Sequence, residues 1–241
     1  ISELDIIFGA EKKSVENVKY IAENYDYSAI FVYSTCVTAM IGEDIDKACR
    51  EAEEACGIPV IPVDSPGFIG NKNFGNKVAG DSLLRYVIGT AEPDIRTDYD
   101  INIIGDYNIA GELWQVQPVL EKLGIRILSS LTGGASYEDL RYAHRSKLSV
   151  VICSRALVSL ARGLKEKYGI PYFEGSFYGI KETQDTIMKI VSHFNEPKLT
   201  EKAKKLLAEL RAETESEIAP YKSQLEGKKV FVYTGGVKSW S

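Results

Sequence analysis

The chemical possibilities of this chain rest on four cysteines, two histidines and several glycine loops. Cys49 and Cys56 share an i, i+4, i+7, i+11 spacing with Ile45 and Ala52, the signature of one helix face turned inward. Free cysteine packs well as a small hydrophobe, so both read as core. Cys36 and Cys153 stand differently. Each follows a β-branched run and precedes a helical stretch. A helix N-terminus favours the thiolate, the form that binds metal or attacks an electrophile. Position alone leaves burial at a strand end open for both. There is no CxxC, so a cluster built on either needs ligands from other segments or another subunit. His144 and His193 have no HxxE or HExxH partner and read as surface side chains. No GxSxG occurs, which argues against a Ser–His–Asp hydrolase. No GxGxxG or P-loop pattern occurs either, so a nucleotide site has no support. "TGGVK" (Thr234–Lys238) offers two glycines and a cation to an anion. "GFIGNKNFGNK" (Gly67–Lys77) reads as an anion-binding or simply mobile loop.

The elements that must position these residues alternate in type. Strands are predicted at Leu4–Phe8, Ala29–Tyr33, Val60–Val63, Asp100–Ile104, Arg126–Ser129, Ser149–Ile152, Pro171–Glu174 and Lys229–Tyr233. Helices are predicted at Glu11–Asn24, Gly42–Cys56, Asn76–Ile88, Ala110–Leu123, Tyr137–Ser146, Ala156–Tyr168 and Thr183–Phe194. This βαβα order implies parallel sheets covered by helices, an α/β class of tandem Rossmann-like domains. In "GIPVIPV" and "GIPYFEG", Gly57 and Gly169 suit the left-handed position after a helix, and Pro59 and Pro171 start an extended run. "LGIRIL" repeats the layout without proline. A polar, turn-rich stretch at Glu92–Tyr99 marks a boundary. The expected organisation is a first Rossmann-like domain over 1–97, truncated at its N-terminus, and a second over 98–196. A connecting helix over 197–227 follows, then the opening strand of a truncated third domain over 228–241. Leu199, Ala203, Leu206 and Leu210 give the connecting helix one apolar stripe.

The 241 residues suffice for one to two domains. With 44% hydrophobic and 26% charged residues, the composition is that of an ordinary globular chain. The net charge of -5 argues against a general nucleic-acid or anionic-membrane surface. No apolar run reaches a membrane span and no signal peptide is visible, so a cytoplasmic location is expected. An even cysteine count without a secretory signal does not imply a disulfide scaffold.

Five long segments together resemble the nitrogenase component 1 family. They are "FVYSTCVTAMIGEDI" (Phe31–Ile45), "PVIPVDSPGFIGNKNFGNKVAGDSLLRYVIG" (Pro59–Gly89), "DINIIGDYNIAGELWQVQPVLEKLGIRIL" (Asp100–Leu128), "YAHRSKLSVVICSRALVSLARGLKEKYGIPYFEGSFYGI" (Tyr142–Ile180) and "LEGKKVFVYTGGVKSW" (Leu225–Trp240). The resemblance implies three Rossmann-like domains per subunit with metal clusters between them. It implies that Cys36 ligates a [4Fe-4S] cluster shared with a β-like subunit in an α2β2-type complex. It implies that Cys153, with Arg155 beside it, holds an iron–sulfur precursor of the iron–molybdenum cofactor. Gly235 and Gly236 match backbone donors facing the cofactor sulfides. Lys238 takes the place of a cofactor-facing arginine, and Asn76 that of a histidine donating to a cluster sulfide.

These two replacements remove a forked guanidinium and a proton-capable donor. The resemblance therefore implies a scaffold for cofactor assembly that receives molybdenum and homocitrate, with the nitrogenase iron protein as delivery partner. The alternatives are a catalytic nitrogenase α subunit or related reductase, and a plain Rossmann-type binding domain.

Overall fold

The computed structural model describes residues 3–108, 111–152 and 157–231. Its first part runs α1 (Glu3–Phe8), α2 (Glu11–Asn24), β1 (Ile30–Tyr33), α3 (Cys36–Met40), α4 (Ile45–Cys56), β2 (Val60–Val63) and α5 (Lys72–Ser82). A π-helical turn, Leu83–Val87, ends α5. The second part runs β3 (Asp100–Asp106), α6 (Glu112–Leu123), β4 (Arg126–Thr132), α7 (Tyr137–Tyr142), a 3-10 turn (Ala143–Arg145), β5 (Leu148–Val151), α8 (Val158–Tyr168), β6 (Tyr172–Glu174), α9 (Ile180–Phe194) and α10 (Pro197–Leu225).

All strand pairs are parallel. β1 pairs β2 in one sheet, and the other sheet has the order β4-β3-β5-β6. Parallel pairing demands crossover helices, which the α/β alternation supplies. Proline inside β2 fits because of which edge it faces. Ile30 N donates to Pro59 O and Ser34 N to Val63 O, so odd-numbered β2 residues face β1. Pro62, with no N–H to offer, therefore turns its nitrogen to the free edge.

Helices lie on both faces of the four-stranded sheet. On one face Ile104, Leu131 and Val151 pack with Leu157, Leu160 and Leu164 of α8 and its approach. The same cluster takes in Ile61, Leu83 and Val87 from the first part, so apolar packing is continuous between the two sheets. On the other face Ile101, Ile103 and Val150 meet Leu120 of α6, Ile187 and Ile190 of α9, and Leu199, Ala203 and Leu207 of α10. Each such fully buried Leu or Ile contributes about 1.5–3 kcal/mol. A third cluster joins Val18, Cys49, Ala52 and Val60.

The helix-to-strand turns follow their chemistry. Gly57, Gly124 and Gly169 cap α4, α6 and α8 at φ 73, 85 and 74°, the left-handed position the three repeated phrases require. Two expectations fail. Leu4–Phe8 is not a strand, because Glu3–Phe8 is helical. Periodicity cannot separate strand from helix in so short an apolar run, and a helix closes its own hydrogen bonds where no strand edge lies alongside. Lys229–Phe231 likewise carries no strand, and Val230 and Phe231 stand 77% and 88% exposed. A short segment with no strand beside it among the described residues gains neither ladder bonds nor burial. The remainder of that expected strand lies outside the described residues.

Candidate functional site

In open parallel sheets, ligands bind beyond the carboxyl ends of the strands. Two such edges are present.

At the first, β1 and β2 deliver their following loops side by side, tied where Ser34 Oγ donates to Asp64 Oδ1 at 2.7 Å. Cys36 opens α3 directly after Thr35, whose side chain accepts from Thr38 N while Thr38 Oγ1 accepts from Thr35 N. This capping box fixes the turn and sets the cysteine at the first helical position. The thiol is free and Cys36 is exposed. Gly67 of the loop after β2 closes over it: a Cβ there would lie 3.3 Å from Sγ. A larger residue at 67 would crowd whatever the sulfur holds. Sequence reading singled out Cys36 but passed over Gly67 as its wall. The contact joins positions remote in sequence, and only the PGF turn hinted at it.

Asn76 lies in the second turn of α5, a helix capped by Asn71 Oδ1, which accepts from the backbone of Asn73 and Phe74. Asn76 Nδ2 is buried and has no hydrogen-bond partner among the described residues. One turn on, Gly80 lies against Leu157 and Leu160 at the start of α8. Positions i and i+4 share a helix face, so Asn76 belongs to the face turned towards that end of α8. An orphaned buried N–H is costly and fits a site with an acceptor still to come.

The second edge belongs to the four-stranded sheet. The strand order places its switch point between β3 and β5, where Ile152 N donates to Ile104 O at 2.8 Å. At the end of β3, Asp106 is 8% exposed and its Oδ1 accepts from Asn108 N at 2.8 Å. Gly133 N donates to Asp106 O, and a Cβ at Gly133 would come within 2.3 Å of that oxygen. Only glycine permits this close approach of the two loops. A cavity of about 720 Å³ adjoins this edge, lined among others by Asp106, Glu112, Ile152, Phe177, Tyr178 and Arg211. Burial pushes the Tyr178 phenol up, and the Asp106 charge adds to it.

Cys153 and Arg155 directly follow Ile152 in sequence, and they lie outside the described residues, as do Gly235, Gly236 and Lys238. Among the described residues no group of three or more His, Cys, Asp or Glu side chains is placed to hold a metal ion.

The remaining cysteines are packing. Cys49 is 2% exposed, and burial pushes its thiol up to about 11. Cys56, partly buried, flanks the same cluster. His193 is an exposed side chain in the last turn of α9, as expected. His144 corrects the surface expectation: its side chain is 7% exposed. Nδ1 lies 3.1 Å from Arg141 O and Nε2 3.2 Å from Glu92 Oε1. Arg145 also donates to Glu92, and its guanidinium, seconded by His144, holds the Glu92 carboxyl down to about 2. The polar stretch after the first sheet is thus fastened to the second. Sequence reading missed this because the partners are more than fifty residues apart.

Comparison with known proteins gives the chain its family. The family model described as nitrogenase component 1 type oxidoreductase matches residues 1–241. The nitrogenase iron-molybdenum cofactor biosynthesis protein NifE of Nostoc sp. is 56% identical over all of this chain and 50% of its own length. Its namesake in Klebsiella pneumoniae is 41% identical, again over the whole chain and 55% of its own length. The solved structure titled "Nitrogenase Cp1 at pH 6.5" superposes with a TM-score of 0.89 at 32% identity, covering 95% of this chain and 44% of that one. The chain spans about half the length of the curated relatives it matches. Over residues 1–241, the chain belongs to the nitrogenase component 1 family.

Proposed function

We propose that the protein is a scaffold subunit for assembly of the nitrogenase iron–molybdenum cofactor. One observation carries the reading beyond kinship with cofactor biosynthesis proteins: the free Cys36 thiol, exposed at a strand end and walled by a glycine. A thiolate there fits an iron–sulfur cluster, because Cys36 is exposed and Gly67 sets no Cβ against its sulfur. In this reading Cys36 is one ligand of a resident [4Fe-4S] cluster. The other ligands come from further segments and from a β-like subunit of an α2β2-type complex. Bound, such a cluster supplies electron storage and iron centres.

Cys153 and Arg155 are assigned to the precursor of the iron–molybdenum cofactor, with Gly235, Gly236 and Lys238 as further walls. The orphaned Nδ2 of Asn76 supports a donor role towards that precursor. An amide donates a hydrogen bond without titrating near neutral pH, so it holds a cluster in place and delivers no proton to a substrate. This favours custody of the precursor over catalysis. Molybdenum and homocitrate are then cargo, the nitrogenase iron protein is the delivery partner, and the work is done in the cytoplasm.

The test uses the full-length protein purified anaerobically with its partner. Cys36→Ala is expected to lose the iron and the EPR signal of the resident cluster. Unchanged iron content and an unchanged signal would remove Cys36 from the ligand set.

A further inference from the structure

The centre of the four-stranded sheet carries a polar row where an apolar one is the rule. Central strands of a parallel sheet, covered on both faces, read as near-continuous aliphatic runs. Here Asn102 of β3 stands in register with Ser129 of β4 and Ser149 of β5. They are 0%, 2% and 0% exposed. A register shift between Ile101 and Asn102 brings Ser129 rather than Leu128 opposite Asn102. A bulge of this kind re-aims a side chain. In-register neighbours in parallel strands share a face, so the three side chains form one row across the sheet. The row adjoins the apolar one of Ile104, Leu131 and Val151.

The 3-10 turn covers this row. Asn102 Nδ2 donates to Ala143 O at 2.8 Å, and Ser146, next after the turn, donates its backbone N–H to the same oxygen. Ser146 is itself 6% exposed. Four atoms then remain without a partner among the described residues: Asn102 Oδ1, Ser129 Oγ, Ser146 Oγ and Ser149 Oγ. Buried polar atoms left unpaired are strongly unfavourable, and here four belong to one in-register row and the turn bonded to it.

We propose that this row is a built water site: ordered water donates to Asn102 Oδ1 and exchanges hydrogen bonds with the Ser129, Ser146 and Ser149 hydroxyls. The donor set fits water. Three hydroxyls each give and accept, and the amide oxygen only accepts. An anion would face the amide oxygen. Buried waters of this kind make about three hydrogen bonds each. The site has a structural consequence. Its roof is the turn carrying His144 and Arg145, the two side chains that hold Glu92. Water beneath the turn fastens it to the sheet from below while Glu92 fastens it from outside.

Two measurements on the full-length protein with its partner test this. A crystal structure that resolves ordered water is expected to show density roughly 2.7–3.0 Å from Asn102 Oδ1 and at least two of the serine oxygens. A dry row, with the hydroxyls turned onto backbone carbonyls, overturns the proposal. Ser149→Ala is expected to lower the melting temperature, because it strips a partner from the water. An unchanged or raised melting temperature means that the hydroxyl had been bonding to nothing, and also overturns it. Exchange of sodium for choline is expected to leave the melting temperature alone; a fall would make the ligand a monovalent cation and reject water.

Discussion

Cys36 and Cys49 show how the same side chain takes opposite roles from its surroundings. The Cys49 thiol, at 2% exposure and pushed to about 11, has little thiolate at neutral pH. Iodoacetamide labelling of the cluster-free protein, read by mass spectrometry, is expected to modify Cys36 first and leave Cys49 untouched until the fold opens. The helical spacing around Cys49 made that contrast legible in the sequence, since a stripe reports burial. Gly67 over Cys36 and Glu92 over His144 were not legible, because those pairs meet only once the strands align.

Asp100 is a second residue-scale case. It is 1% exposed, and Arg126 reaches it with Nε at 2.7 Å and Nη2 at 2.6 Å. Burial pushes this carboxyl up, but the hydrogen bonds from Arg126 and Thr97 outweigh it and leave it below its ordinary value. A depressed carboxyl stabilises above its unfolded pKa, about 3.9, and that contribution fades as pH falls below it. Asp100→Asn is expected to cost about 3 kcal/mol in denaturant unfolding at neutral pH, since it leaves Arg126 half-buried without its charge partner. Asn76→Ala belongs at this scale too. It is expected to weaken retention of the cofactor precursor while the resident cluster keeps its EPR signal.

Among the elements, glycine decides where loops touch. Gly133→Ala must push its new methyl against the backbone of Asp106 and Tyr107, both about 2.3 Å away. Thermal or denaturant unfolding is expected to show a loss of about 1–3 kcal/mol, because backbone cannot step aside as a side-chain end can. Most strand positions and their parallel pairing were readable from β-branched runs and from the Gly–Ile–Pro starts that stop one element and begin the next; the order of strands in the sheet was not. Short elements were not. Leu4–Phe8 has the residues of a strand, and Glu3–Phe8 forms a helix whose Asp5 pairs with Lys13 at 2.7 Å. Five residues hold too little periodic information to oppose such a contact. The connecting helix was legible: it was expected over 197–227, and α10 spans Pro197–Leu225, running through Pro220 despite the breaker rule.

For the whole molecule, the polar stretch after the first sheet is a fastening as well as a boundary. One apolar cluster spans from Ile61 and Val87 to Leu131 and Leu160. Gly163 lets α8 close onto Leu84, and Arg145 and His144 hold Glu92. Because Arg145 and His144 draw the Glu92 carboxyl to about 2, this contact is intact at neutral pH and lost only as pH falls through that value. A carboxyl titration followed by NMR is expected to give Glu92 a midpoint near 2. No helix among the described residues is long and apolar enough to cross a membrane. What the sequence proposed for the site was Cys36, Cys153 and Asn76, of which Cys153 lies outside the described residues. What it could not give was the walls, since each wall comes from a segment folded back from elsewhere. Custody of a cofactor precursor is tested most directly by a maturation assay. The full-length complex, loaded with precursor, is mixed with iron protein, molybdate, homocitrate and a cofactor-free nitrogenase component 1, and acetylene reduction is followed. Activity is expected to appear only when the cofactor-free component is present; acetylene reduction at nitrogenase rates by the complex with iron protein alone would contradict custody of a precursor.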